Sequence, residues 1–388
     1  MTKRPLFFAI GGLLAMAAGI GVGRFVYTPI LPPMIEALSL TKSQAGLIAS
    51  ANFIGYLAGA LLAAARLPGT RRGWLLCSLA VNAICLAAMG FASTPPLFLV
   101  LRFAAGMASA FTLIFSSALV LDRLARAGRS NLSAVHFAGV GGGIALSAAL
   151  VGLLGDWRTM WFASGGLALL AGIAVAAIVP GDQAESQTVS RATRAKLSPA
   201  FAALATAYCL FGFGYIITAT FIVAMVRDSP QIASLEPYVW VTVGLAAAPS
   251  VALWARLGAR WGILKAFAGA ALVEAIGVAV SVLWATPAGI LLAAVFLGGT
   301  FMGLTALGLI AARETGTGDP RSRIALMTAS FSAGQIIGPV FAGYAYDITG
   351  SLAMPSLVAV AALVLAALLS VIADLQRRKE AAASISSR

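Results

Sequence analysis

The sequence predicts an all-α membrane protein, with twelve transmembrane helices in two six-helix bundles. Three observations predict it. The chain has 388 residues, of which 60% are hydrophobic and only 10% charged. Its apolar runs reach the roughly 20 residues that a helix needs to cross about 30 Å of hydrocarbon, and they lack the two-residue alternation of a barrel strand. The second half also repeats the first.

The helices follow from where those runs begin and stop. Helix 1 spans about 6–34, after Lys3 and Arg4. Its start resembles a signal peptide, with Ala15-Met16-Ala17 as a cleavage-like triplet. The run is longer than a signal h-region and eleven further spans follow, so it reads as an uncleaved helix. Helices 2 and 3 span 43–65 and 73–92 and are parted by Arg66, Arg71 and Arg72. Helix 4, 96–121, ends before Arg123, Arg126 and Arg129. Helices 5 and 6 span 131–154 and 158–179. The polar, helix-poor segment 180–198 then links a first bundle, 1–179, to a second, 199–388, which ends in a short tail. Helices 7 to 12 span 199–226, 238–255, 263–285, 288–311, 324–346 and 352–374.

The halves align at an offset of about 192 residues: Thr94-Pro95 with Thr286-Pro287, Gly106 with Gly298, Asn82 with Glu274, and Arg129-Ser130 with Arg321-Ser322. Near the start, Gly21-x-Gly23-Arg24 matches Gly212-x-Gly214-Tyr215 at 191. With six helices in each half, the repeats are parallel and a site is expected between them near the midplane.

The net charge of +13 reports topology. Of 26 lysines and arginines, 21 fall in the termini and the even-numbered connections, and three (Lys42, Arg158, Arg227) on the other side. That asymmetry places both termini and the linker in the cytoplasm of an inner membrane. It argues for contact with anionic lipid headgroups rather than nucleic acid. Cys77, Cys85 and Cys209 are dispersed in apolar helices and form neither a disulfide framework nor a metal site. No cofactor or catalytic group is expected, because no nucleophile–base pair falls at membrane depth.

The two remaining basic residues, Arg24 and Arg102, lie inside apolar spans. An intramembrane charge costs about 2.5–3.5 kcal/mol on the lenient insertion scale, so each is a functional candidate. A guanidinium offers planar, bidentate donors suited to a carboxylate or phosphate. Arg24, Tyr27 and Thr28 share one helical face at i, i+3, i+4. Asn52 and Tyr56 share another on helix 2; Thr328, Ser332 and Gln335 do so on helix 11; Tyr215 stands at the repeat position of Arg24, with Thr218 three residues on. All are candidate ligand contacts, although the same residues could serve only to bond helix to helix. His136, the single histidine, and Glu274, the one acid at bilayer depth, are the proton-coupling candidates. Glycine pairs four apart, such as Gly139/Gly143 and Gly334/Gly338, lack the strand-to-helix turn of a phosphate loop and read as close helix packing.

With Arg102-x-x-x-Gly106-x-x-x-Ala110 in helix 4, the chain resembles the major facilitator superfamily over essentially its whole length. The run from Gly19 to Met34, and Gly334-Gln335-Ile336-Ile337-Gly338-Pro339 in helix 11, are similar to its bacterial YbfB/YjiJ-like branch. The resemblance implies that helices 1, 4, 7 and 10 line a cavity with 2, 5, 8 and 11 beside them. It also implies a secondary transporter working by alternating access. One departure is the loop after helix 2, Arg66 to Arg72, which has no carboxylate where the superfamily's gate motif carries one. Together these readings predict a monomeric transporter of a small organic anion, a carboxylate in particular, with a proton or counter-anion as possible partner. The rivals are efflux of amphipathic drugs or sugars by proton antiport and a sensor built on a transporter scaffold.

Overall fold

The computed structural model describes residues 4–63, 65, 67–180, 198–315 and 320–386. Among them all regular elements are helices. Twelve are long and apolar enough to cross a membrane: α1 Pro5–Leu38, α2 Lys42–Ala63, α3 Arg71–Met89, α4 Pro95–Arg126, α5 Ser133–Val151, α6 Trp157–Ile178, α7 Pro199–Arg227, α8 Glu236–Trp261, α9 Ile263–Leu283, α10 Pro287–Glu314, α11 Pro320–Thr349 and α12 Ala353–Ser386. The chain is a multi-pass membrane protein.

Helix starts carry the expected local chemistry. Thr70, Asp156, Ser198 and Thr286 each accept a hydrogen bond from the amide three residues on. Asp156 is held below the usual carboxylate range chiefly by the Thr159 amide it accepts from. α4 and α10 both open on Thr-Pro, which puts proline where no amide hydrogen is needed.

Several helix ends lie beyond those read from the sequence. α4 continues to Arg126, α8 to Trp261 and α12 to Ser386, so Arg123, Arg126 and Arg260 sit on last helical turns and not in loops. Cations there offset the negative end of the helix dipole, which is why charge did not stop these helices. In α12 the extension is supported by Arg377 and Arg378, which pair with Asp374 at 3.2 and 2.9 Å. The linker reading falls on 181–197, outside the described residues.

The repeat is visible in the packing. α1 packs on α5, α2 on α4, and α3 on α4 and α6; likewise α7 packs on α11, α8 on α10, and α9 on α10 and α12. The two bundles meet along α2–α11, α5–α8 and α1–α7. At the α5–α8 seam Gly141 and Gly244 face each other, and a Cβ on either would strike the opposite backbone. Only glycine allows that approach.

Polar contacts between bundles gather toward the end opposite the chain termini. There Arg227 pairs with Glu36 of the first bundle at 2.8 Å and with Glu236 of its own at 3.1 Å. Lys42 pairs with Asp228 at 3.0 Å. Asp347, near the end of α11, accepts from the Lys42 and Ser43 amides at 3.1 Å each and from the Ser43 hydroxyl, so it caps the start of α2. Deeper in, Thr28 donates to the Ala219 carbonyl at 2.8 Å, Ser50 to Ile336 at 2.7 Å, and Trp240 to Phe25 at 3.1 Å. The molecule is latched at this end.

Candidate functional site

Between the bundles, beneath that latch, lies a cavity with about 650 Å³ of empty volume, part of it open to solvent. α1 contributes Met16, Ile20, Arg24 and Phe25, and α2 contributes Tyr56. Leu113 of α4 and Phe137 and Val140 of α5 complete the first-bundle wall. The second bundle supplies Tyr215 of α7, Val251 of α8 and Phe331 of α11, and from α10 a stripe of Phe301, Met302, Thr305, Ala306 and Leu309. All eight helices that the resemblance places around a cavity therefore reach it.

α1 is not a regular helix where it meets the cavity. Residues Ala17–Val22 form a π-helical turn, and a further irregular turn falls at Val26. The Gly19 carbonyl within this stretch takes outside donors: Asn82 Nδ2 at 3.0 Å and Ser109 Oγ at 2.6 Å. Irregular backbone at membrane depth persists only when neighbours satisfy it in this way.

Arg24 follows directly. It is buried, with its guanidinium over the rings of Tyr56 at 4.6 Å, Phe53 at 4.7 Å and Phe25 at 5.5 Å. Its Nε and Nη2 have no hydrogen-bond partner among the described residues. Aromatic faces return about 0.5–2 kcal/mol each to a cation. Three such faces together offset much of the several kcal/mol that a buried charge loses with its water, without neutralising it. Among the described residues Arg24 has no acidic partner, and it stands as a cation on the cavity wall.

Arg102 differs. Its Nη1 and Nη2 donate to the carbonyls of Gly23 at 3.4 Å and Arg24 at 3.2 Å, and its guanidinium lies 4.9 Å from the Tyr27 ring centre. It braces α1 through its two terminal nitrogens, while its buried Nε has no partner among the described residues, and it does not line the cavity. Asn52 is fully buried and donates to the Arg102 carbonyl at 3.0 Å, so it ties α2 to α4. Tyr27 donates to the Ala45 carbonyl at 2.9 Å, and Thr28 belongs to the cross-bundle contacts. The face shared by Arg24, Tyr27 and Thr28 is therefore divided between α2, which meets Arg24 and Tyr27, and α7, which meets Thr28.

In the second bundle Gln335 Nε2 donates to the Tyr215 hydroxyl, which joins α11 to α7 beside the cavity. Thr218 and Ser332 are buried, and their hydroxyls have no partner among the described residues. Thr328 turns its hydroxyl onto its own helix, at Ile324. His136 is fully buried away from the cavity, with Nε2 3.2 Å from Ser117 Oγ on α4, while its neighbour Phe137 reaches the wall. Glu274 points into the second bundle, fully buried, with both carboxylate oxygens unpartnered among the described residues. No group of three or more metal-ligating side chains occurs among the described residues.

Sequence reasoning missed the aromatic wall. Tyr215 stacks on Phe331 at 5.9 Å and 1°, and on Phe301 at 5.8 Å and 7°. Met302, Thr305 and Leu309 follow helical spacing, but an apolar face in an apolar helix has no contrast to mark it.

Twelve apolar helices in two repeated bundles around a central cavity define a transporter of the major facilitator fold. The family model described as uncharacterised MFS-type transporter YbfB matches residues 16–371. The chain belongs to that family. No curated protein sequence matches it. Among solved structures it is similar to a mutant of the nucleoside transporter NupG, with a TM-score of 0.76, 14% identity and coverage of 96% of this chain and 100% of the other. It is also similar to a bacterial homologue of the human lysosomal transporter Spinster in an inward-facing, occupied conformation. There the TM-score is 0.70, with 14% identity and coverage of 97% and 98%. Such identities establish the shared fold alone.

Proposed function

We propose that this secondary transporter carries a small organic anion, a carboxylate in particular, across the bacterial inner membrane by alternating access. The observation that carries this reading is Arg24: a buried guanidinium on the cavity wall, with Nε and Nη2 unpaired. Those two atoms form one edge of the guanidinium, the edge that suits the two oxygens of a carboxylate, and both are shielded from the cavity in this conformation. Tyr56 and Tyr215 line the same cavity from the two bundles, so a ligand on Arg24 is felt by both halves. Membrane lipids surround a monomer, and a proton or counter-anion balances the charge moved.

The termini and the linker face the cytoplasm in this reading, on the strength of the charge asymmetry. The latched end then faces outward, and the cavity serves the cytoplasmic side. A reporter fused within 180–198 is expected to score cytoplasmic; a signal from the far side overturns the orientation.

A second reading has its own observation. Three aromatic faces already cover Arg24 and the wall is otherwise apolar, which also suits efflux of amphipathic compounds. Flux into proteoliposomes separates the two. Transport of organic acids that is lost in Arg24→Gln supports the anion reading. Transport of neutral or cationic amphiphiles that survives in Arg24→Gln overturns it.

A further inference from the structure

We infer that the ligand is a planar organic monoanion, with one carboxylate on Arg24 and a flat aromatic body against Tyr215, Phe301 and Phe331. This rests on the anion reading of the same cavity and narrows it.

The charge follows from the cations at hand. The sequence offers two intramembrane arginines, which on their own suit a dianion. The structure removes one: Arg102 spends both terminal nitrogens on the Gly23 and Arg24 carbonyls. Among the described residues that line the cavity, Arg24 is the single charged one. A second carboxylate on the ligand would meet an aromatic or aliphatic wall and lose its water without a counter-charge. A ligand with no charge would leave Arg24 as it is.

The shape follows from the rings. Phe301, Tyr215 and Phe331 are parallel within 7° and 1°, with Tyr215 in the middle. Phe25, the residue next to Arg24, meets Phe301 edge-on at 5.6 Å. The aromatic array therefore reaches from the second bundle to the base of the guanidinium. Rings prefer offset-parallel or edge-on neighbours, and a flat ligand ring finds both here. The Tyr215 oxygen is held by Gln335, which keeps its ring fixed as a platform.

The test uses the full-length protein in nanodiscs and isothermal titration with compounds of one ring system: 2-naphthoate, 2-naphthamide and naphthalene-2,6-dicarboxylate. Hexanoate serves as an acyclic monoanion and adipate as an acyclic dianion. The expected result is that 2-naphthoate binds tightest, by roughly tenfold or more over the amide and the dicarboxylate. Arg24→Gln then removes its advantage over the amide, and Phe331→Ala removes its advantage over hexanoate. The compound series on the unaltered protein needs neither variant to fold.

Tighter binding of either dicarboxylate overturns the monoanion inference and leaves the anion reading standing. Equal binding of hexanoate and 2-naphthoate overturns the aromatic part alone. Equal binding of the naphthamide and the naphthoate overturns the inference and the anion reading together, and so does binding of none of the acids.

Discussion

The guanidinium of Arg102 hangs on the main chain of Arg24: its Nη2 donates to the Arg24 carbonyl at 3.2 Å, while Nη1 takes Gly23 at 3.4 Å. One intramembrane arginine thus holds the backbone of the other at a broken stretch of α1. The two have different duties, and different variants expose them.

Removing Arg102 should harm the fold first. Arg102→Ala leaves two buried carbonyls short of a charge-assisted donor, and each such bond is worth about 1.5–3 kcal/mol. A clear loss of thermal stability in detergent is expected, with partial recovery in Arg102→Lys, whose ammonium lacks the planar fork. An Arg102→Ala protein with unchanged melting and reduced ligand affinity would show that this arginine is a ligand contact after all.

Removing Arg24 should do the reverse. Its guanidinium makes no hydrogen bond among the described residues, so Arg24→Ala should insert and purify with a melting temperature at or above that of the parent protein. Uptake of organic acid into proteoliposomes should vanish, and Arg24→Lys should stay impaired. Parental transport rates in Arg24→Ala would sink the anion site.

The latch offers a third test. Asp347 caps α2 across the bundle interface, and Lys42 pairs with Asp228 beside it. Partly exposed pairs are worth about 0.2–1 kcal/mol, so Asp347→Ala or Lys42→Gln should shift the population toward the oppositely open state by a few-fold and not abolish folding. In a background without the native cysteines, a cysteine placed at Thr28 should react faster with a membrane-impermeant maleimide in either variant. An unchanged labelling rate in both would mean that the latch does not hold the closed state.

Proton coupling is the fourth. His136 bonds Ser117 on α4 and adjoins Phe137 on the wall, whereas Glu274 lies deep in the second bundle on α9. His136→Gln is expected to keep exchange at equal pH on both sides and to lose accumulation driven by a pH gradient. If His136→Gln/Glu274→Gln still accumulates substrate under that gradient, neither group carries the proton. Coupling would then belong to the ligand's own proton or to a counter-transported anion.

The helices, their number and their repeat were legible in the sequence because hydrocarbon leaves few alternatives. A run that must cross it has to be long, apolar and helical. Ends were misread where arginines extend a helix past the apolar stretch, as in α4 and α12. The candidate site was legible only in its polar members. Arg24, Tyr56 and Tyr215 stood out by composition and do meet at the cavity. Asn52 and Tyr27 stood out equally, yet their side chains bond the backbone of neighbouring helices. Spacing along one helix cannot say which neighbour a side chain faces. Phe301 and Phe331 gave no signal at all, since nothing distinguishes a cavity-facing phenylalanine from a lipid-facing one until the bundle closes.

The π-helical stretch of α1 carries a consequence for motion. A π turn holds one residue more than the α turn it replaces. Passing that extra residue along the helix would turn only the residues it passes, by about 100° about the helix axis, the angle that one α-helical residue spans. Arg24 lies two residues past that stretch, and Gly21 and Gly23 let the Gly143 backbone and the Asn82 side chain pack directly against the helix. α1 is thus built as a rotary joint with a cation on its crank, able to re-aim that charge while both ends of the helix keep their places.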